Sequence, residues 1–541
     1  MSRTNIRLTQ KWVLPLTFLF FFTLLVIIAM PMLRLTGGMV IYPQDEGYIH
    51  MAIAKNLVFH KVWGLSSYEF NSASSSLLYP ILIAVFFKIF GLAVSIPLWI
   101  NLVAAVLFVI VLQKWLQRQD LTPLHQLVIL WIIIYLTPLH FIVITGMEHT
   151  LQVLLSFIFI FKFCEWLYPN ENSAVVPHRF PVALLVYGVL LTALRYEGLF
   201  LVATACVMLL FDRRWGLSLV LLLTAILPPV IYGIYSLYHG GYFLPNSILI
   251  KDFPLPFNDE TIERFFTQGA INKLFYPYST RGGTTGGRLL ILLPLVYCTY
   301  LASLKQSRQY KAIISFCLVM TILHMIFADS VPFYRYTAYL LACGLVVPLV
   351  LAVRYKGPWL NIGAGAVKWM IVWVFFFLLQ PMVSRSWDAF ETASLGFHHE
   401  YEQNYMAARL LREHFNDKTV IMDELGAACF YSDGRKLDIN KGIAYMKVAE
   451  TKMEGFGRLD YMDMLIKQER PILALVADKD YHPWLRRNWV KVTTWYTTAK
   501  VVLGNTQLSI YAVDTVAMAS VRSGLRMFDQ SLPQQVKAID P

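Results

Sequence analysis

The sequence predicts an α-helical polytopic membrane protein with about eleven transmembrane helices and a C-terminal α/β domain. Three observations carry this expectation. Apolar residues make up 57% of the chain and charged ones 15%, with a mean hydropathy of +0.54, whereas soluble domains carry about 25% charge. Apolar runs near the roughly 20-residue length of a bilayer span recur from the N-terminus onward. From about residue 384 they stop, and short strand-like segments bounded by turn residues replace them.

The first apolar run, Trp12 to Leu33, is too long for a signal-peptide core and lacks a small-residue cleavage site, so it reads as an uncleaved anchor. The expected spans are 12–34, 94–113, 124–144, 148–167, 181–195, 198–212, 216–238, 288–304, 312–328, 336–353 and 366–383. The run 77–90 reads as a half-inserted or interfacial helix, and 181–195 with 198–212 as a pair short enough to form one bent unit.

Basic residues set the orientation. Arg3, Arg7 and Lys11, then Lys114 and Arg118, Arg213 and Arg214, Lys305, Arg308 and Lys311, and Arg354 and Lys356 are all placed inside. This puts the N-terminus in the cytoplasm. The first loop 35–75, the flexible loop 239–287 and the tail then face outward, giving a multi-pass protein of the cytoplasmic membrane. The net charge of +12 sits in these short loops with no aromatic-interleaved stripe, which argues against nucleic acid as a partner. Of the six cysteines only Cys429 lies in the tail, which excludes a disulfide within it.

Residues 1–383 thus form the expected membrane domain and 384–541 an extracytoplasmic α/β domain. In the latter, 400–415 reads as an amphipathic helix. Strands are expected at Thr419–Met422, Ile472–Val476, Val490–Thr494 and Leu508–Val513, with turns at Ser432-Asp433-Gly434 and Gly504-Asn505.

The outward segments hold the polar clusters. Asp45 and Glu46 follow the first span closely, where carboxylates are costly unless solvated or used. The stripe Ile49, Ile53, Leu57 predicts an interfacial helix, with Asp45 at its N-cap and Glu46 in its first turn. A carboxylate there suits removal of a proton from a hydroxyl nucleophile, an effect worth about 10²–10⁴-fold. One base suffices for displacement with inversion. Adjacent helical residues point apart, so one acid is expected as base and the other as an orienting group.

A lipid-phosphate leaving group needs cations, and arginine offers paired donors. Arg195 and Arg335 stand at outer span ends, with Lys251, Arg281 and Arg288 as further candidates. Ion pairing with Glu197 or Asp329 is the plainer alternative. The run Arg281 to Arg288 is glycine-rich but lacks the Gly-Lys-Ser/Thr of a phosphate loop, so it reads as a flexible loop. His398-His399-Glu400 lacks helix-face spacing for a shared metal, and no metal site is read from the sequence.

Together these segments resemble the polytopic GT-C glycosyltransferases that use polyprenyl-phosphate sugars: protein mannosyltransferases, lipid A aminoarabinose transferases and, most closely, mycobacterial arabinofuranosyltransferases. The resemblance rests on Asp45-Glu46-Gly47-Tyr48-Ile49, Gly146-Met147-Glu148, Arg195-Tyr196-Glu197-Gly198, Leu244-Pro245-Asn246-Ser247 with Lys251, and Asp329 with Pro332 to Tyr336. In the tail it rests on Asp423-Glu424-Leu425-Gly426-Ala427, Tyr431-Ser432 and Lys436-Leu437-Asp438. The chain departs from the pattern at Glu46, where an aspartate is usual, at Tyr196 for proline, at Ser330 for tryptophan and at Glu424-Leu425.

The resemblance implies Asp45 as catalytic base with Glu46 beside it. It implies Tyr48, Glu148, Arg195, Glu197, Asn246, Lys251, Asp329 and Arg335 as substrate-binding residues. A polyprenyl-phosphate-linked sugar would be the donor, and a glycan, lipid or protein hydroxyl the acceptor. A divalent cation, Mg or Mn, is left open. The rival reading is a transporter or flippase of a lipid-linked sugar, which would favour paired repeats and acids at mid-membrane.

Overall fold

The computed structural model describes residues 8–169, 180–251, 307–328, 335–354, 366–438, 459–477, 489–497 and 506–540. The expected span 288–304, the loop from 252 onward with Arg281 and Arg288, Asp329 and the turn Gly504-Asn505 lie outside the described residues.

Among the described residues five helices are long and apolar enough to cross a membrane: α1 (Val13–Thr36), α4 (Ile96–Gln117), α7 (His149–Leu167), α10 (Trp215–Tyr238) and the later helix Arg308–Phe327. Shorter apolar helices accompany them: α3 (Leu78–Phe90), α5 (Pro123–Leu136), α8 (Val182–Leu194), α9 (Gly198–Phe211) and the pair spanning Ala338–Arg354. α10 leaves Leu219, Leu223, Leu227, Ile231 and Ile234 exposed along its length. Lipid rather than water suits such a face.

The expected span 124–144 is broken. Pro138, which has no N–H to donate, separates α5 from α6 (Leu139–Ile144). The pair 181–195 and 198–212 is an antiparallel hairpin, α8 and α9, turned at Arg195-Tyr196-Glu197. Inside the bundle aromatic rings interlock. Phe157 stacks on Phe161 at 4.0 Å and meets Phe108 edge-on at 5.6 Å. Within a bilayer such packing, rather than the hydrophobic effect, holds helices together.

One expectation is corrected. α2 (Glu46–Phe59) does not float at an interface with a wet polar face. His50, Lys55 and Asn56 are as buried as Met51 and Ile53, because each polar side chain finds a partner. Lys55 Nζ donates to Phe430 O at 2.9 Å and lies 3.0 Å from Asp433 Oδ1, and Asn56 Nδ2 donates to Gly64 O at 2.9 Å. The helix is covered by α3 on one side and by the tail on another.

The tail grows directly out of the membrane bundle. Helix Ala366–His399 runs unbroken past residue 384, through a π-helical turn at Glu400–Tyr405, into helix Met406–His414. A six-stranded sheet follows: β1 (Val420–Met422), β2 (Lys436–Leu437), β3 (Leu473–Val476), β4 (Val490–Tyr496), β5 (Gln507–Ala512) and β6 (Lys537–Ile539), in the order β2-β1-β3-β5-β4-β6. β1 runs parallel to β2 and β3, with Ile421 opposite Ala474, and the remaining pairs are antiparallel. The four strands expected from the sequence are β1, β3, β4 and β5. Tyr48, Met51 and Ile53 of α2 share one hydrophobic core with Phe430, Trp495 and Phe528 of the tail.

Candidate active site

The site forms where the first loop, the turns of the membrane helices and the tail converge. Asp45 occupies the N-cap position of α2 with helical backbone angles (φ −64°, ψ −29°), but its side chain makes no capping bond to that helix. Its carboxylate reaches the tail instead. Oδ2 accepts from Gly426 N at 2.6 Å and Oδ1 from Ala427 N at 2.9 Å. The first N–H groups of any helix lack internal partners, and those of Gly426–Tyr431 take the acid that α2 was expected to use.

The opposite wall is a chain of ion pairs. Arg335 Nη2 lies 2.7 Å from Glu46 Oε1 and Nη1 3.4 Å from Oε2. Arg195 is held by two glutamates: Nη1 lies 2.7 Å from Glu148 Oε1, while Nη2 and Nε reach the two oxygens of Glu197 at 2.5 and 3.0 Å. His50 Nε2 lies 3.1 Å from Glu148 Oε2, and its Nδ1 lies 3.1 Å from Ser74 Oγ. Both guanidinium groups lie over the Tyr336 ring, each 4.9 Å from its centroid.

Burial pushes the Glu197 carboxyl up, but the Arg195 guanidinium outweighs it and holds the group below its usual range. Burial disfavours charge on Arg335, and the Glu46 carboxylate more than offsets that, so Arg335 stays cationic.

Between these walls lies a cavity of about 190 Å³, small beside the roughly 300–1,000 Å³ of drug-sized pockets. Asp45, Glu46, His50, Ser74, Ser75, Met147, Ser247 and Tyr336 line it from the membrane bundle, and Asp423, Glu424, Leu425 and Asp438 from the tail. Such a cavity offers hydrogen-bond acceptors to hydroxyl groups, while the guanidinium groups of Arg335 and Arg195 lie outside its lining, paired to glutamates.

The structure brings together most of the expected residues. Asp45 and Glu46 line the cavity, and Glu148, Arg195, Glu197 and Arg335 form the adjoining network. Asn246 is fully buried, its N–H donating to Ser72 O at 3.0 Å, and the next residue, Ser247, reaches the cavity. Tyr48 does not. It is fully buried, accepting from Tyr42 N at 3.3 Å and packed beside Phe430 and Tyr431. Lys251 is the last residue of the short helix Asn246–Lys251.

His50 joins the site without having been chosen for it, and Asp423, Glu424 and Asp438 were read only as marks of the tail. The signal for the last three was their acidity within a recognisable motif. Sequence separation concealed that they face Asp45. Asp45 is turned to backbone N–H groups, Glu46 to Arg335, and Asp423 Oδ2 accepts from Ala477 N at 3.2 Å. Among the described residues no three His, Cys, Asp or Glu side chains converge as a metal site.

A bundle of membrane helices whose first acidic loop meets a cavity beneath a C-terminal α/β domain defines the class: the chain has the GT-C glycosyltransferase fold. It is similar to the crystal structure of ArnT from Cupriavidus metallidurans bound to undecaprenyl phosphate, with a TM-score of 0.52 and 13% identity over 94% of this chain and 99% of that one. The apo structure of the same protein aligns with a TM-score of 0.50 and 12% identity, over 93% and 98% of the two chains. Residues 393–511 match the model of a domain of unknown function, DUF8728. No curated protein matches the chain in sequence.

Proposed function

We propose that the protein is an inverting glycosyltransferase. It moves a sugar from a polyprenyl-phosphate donor to an acceptor hydroxyl on the outer side of the cytoplasmic membrane, in cell-envelope glycan or glycoconjugate assembly. The observation that supports this best is the cavity lined by Asp45 and Glu46, with Arg335 paired to Glu46 beside it. It sits in a fold like that of ArnT bound to undecaprenyl phosphate. Within the class, the motifs of the first loop and the tail favour the arabinofuranosyltransferase-like branch.

In this reading the acceptor oxygen attacks the anomeric carbon from the face opposite the phosphate. The new carbon–oxygen bond forms as the bond to the phosphate oxygen breaks. The hydroxyl proton passes to Asp45, and polyprenyl phosphate leaves as the anion. The tail bonds at Gly426 and Ala427 fix the carboxylate's direction, a form of preorganisation. Arg335 and Arg195 meet the donor phosphate by exchanging a glutamate oxygen for a phosphate oxygen, a like-for-like swap for a guanidinium.

Glu46, Glu148 and Glu197 then orient sugar or acceptor, with Asn246, Lys251 and Asp329 proposed as further substrate-binding residues. Tyr48 supports the loop from within the core.

The test is sugar transfer from an undecaprenyl-phosphate-linked donor in vesicles, comparing wild type with Asp45→Asn. Loss of a base predicts a fall of about 10²–10⁴-fold. Undiminished transfer by a folded, inserted variant overturns the assignment.

A further inference from the structure

Behind Asp45, outside the cavity lining, lies a carboxyl that the reaction above does not use. Glu400 opens the π-helical turn Glu400–Tyr405, an irregularity that recurs at functional sites. It is 1% exposed. Its Oε2 accepts from Asn404 Nδ2 at 2.8 Å, and among the described residues its Oε1 has no hydrogen-bond partner. An ionised carboxylate tolerates such a position poorly, since an unpaired buried charge is among the costliest arrangements in a protein.

The surroundings make the charge costlier still. The helix end before Glu400 is pressed onto the strand of chain that carries Asp45: a Cβ at Gly396 would lie 2.6 Å from Pro43 O. The groups acting on Glu400 are acids, Asp45 and Glu46 from the first loop and Glu424 from the tail, together with the phenols of Tyr48 and Tyr431. Burial first, and the Asp45 carboxylate second, push its carboxyl well above the usual range. Two neighbouring carboxylates in such a place do not both ionise. Asp45 is bound to two N–H donors that favour its anion, so the proton goes to Glu400.

We propose that Glu400 is a positioning residue that holds a proton so that Asp45 remains an anion fixed against the tail. The catalytic meaning of this role rests on the reading of Asp45 as base; the proton on Glu400 does not, and can be measured without any substrate.

The experiment uses the full-length protein in detergent, as wild type and as Glu400→Gln, which mimics the protonated acid. Two readouts are taken from pH 4 to 8: thermal unfolding and the infrared carbonyl band of protonated carboxyl groups. The sign follows from linkage. A raised carboxyl binds its proton more tightly in the folded state, so stability falls as pH rises above the unfolded value of 4.5. One such group contributes about a tenfold loss in the folding equilibrium per pH unit.

Glu400→Gln is therefore expected to match wild type near about pH 4, to exceed it at neutral pH, and to lack part of the protonated-carboxyl band. Glu400→Ala, which leaves a small void but no charge, is expected to show the same loss of pH dependence if the glutamine variant does not fold. An unchanged band with the same pH dependence as wild type overturns the proposal. If band and stability behave as expected but wild type transfers no sugar, the glycosyltransferase reading fails and the proton assignment stands. If wild type is active, Glu400→Gln is expected to keep the acid limb of the wild-type pH profile of transfer, since the amide stands in for the protonated acid, and to lose only the alkaline change that ionisation of Glu400 brings, while KM for the donor holds.

Discussion

Replacing Gly426 by alanine tests how the tail and the membrane bundle are joined. A Cβ at this position would lie 2.2 Å from Asp45 O and 2.8 Å from Asp45 Oδ1. Neither atom can swing aside, because one belongs to the backbone and the other to the clamp itself. Carbon atoms in contact prefer about 3.5–4.0 Å, so the helix start must retreat by about 1 Å. Overpacking of this kind costs about 1–3 kcal/mol. The retreat also stretches the bonds from Gly426 N and Ala427 N, which start at 2.6 and 2.9 Å, and a hydrogen bond to a charged group contributes about 1.5–3 kcal/mol.

Because these losses share one displacement they do not add in full. A destabilisation of about 3 kcal/mol is expected, roughly a hundredfold in the folding equilibrium. Thermal unfolding in detergent, read by tryptophan fluorescence, with tryptic release of the tail as a second probe, measures it. A change within about 0.5 kcal/mol, the range of ordinary surface substitutions, would refute the clamp.

Further outcomes follow from the same geometry. Arg195→Met leaves Glu148 and Glu197 buried without their cation and is expected to cost about 3–5 kcal/mol; adding Glu148→Gln and Glu197→Gln should restore much of the loss in the same unfolding assay. Lys436, buried beneath Ser432 O, has its ammonium lowered to about 8 by burial. The unfolded state therefore holds more protons between about pH 8 and 10.5, so this group makes stability rise with pH in that window. Lys436→Met should flatten that rise in a pH series of unfolding temperatures. Glu46→Gln weakens the pair with Arg335, whose guanidinium is buried while Glu46 is about one-third exposed. It is expected to weaken binding of undecaprenyl phosphate less than Arg335→Ala does, as judged by ligand-induced thermal shift.

The membrane portion was legible because a bilayer imposes length and apolarity on each helix separately. Span ends at Val13–Thr36, His149–Leu167 and Trp215–Tyr238 agree closely with the apolar runs. Where the sequence misled, the deciding contact was distant. The stripe Ile49, Ile53, Leu57 looked like a one-sided helix because nothing nearby reveals that Phe430 O and Asp433 receive Lys55. Asp45 looked like a cap for its own helix because the competing donors lie 381 residues later.

Arg195 was legible in kind, as one of two alternatives. Its pairing with Glu197 spans two residues, whereas the bond to Glu148 needed the fold. Glu400 was discounted beside two histidines, since a π-helical turn has no sequence period to betray it.

The central claim is sugar transfer by the Asp45 cavity, and mass analysis of envelope glycans from cells lacking the protein tests it most directly. Complementation with wild type should restore one sugar residue that Asp45→Asn cannot, with the lipid-linked sugar accumulating on the outer leaflet. Glycans of unchanged mass in all three strains, or a lipid-linked sugar trapped on the inner leaflet, would contradict the account.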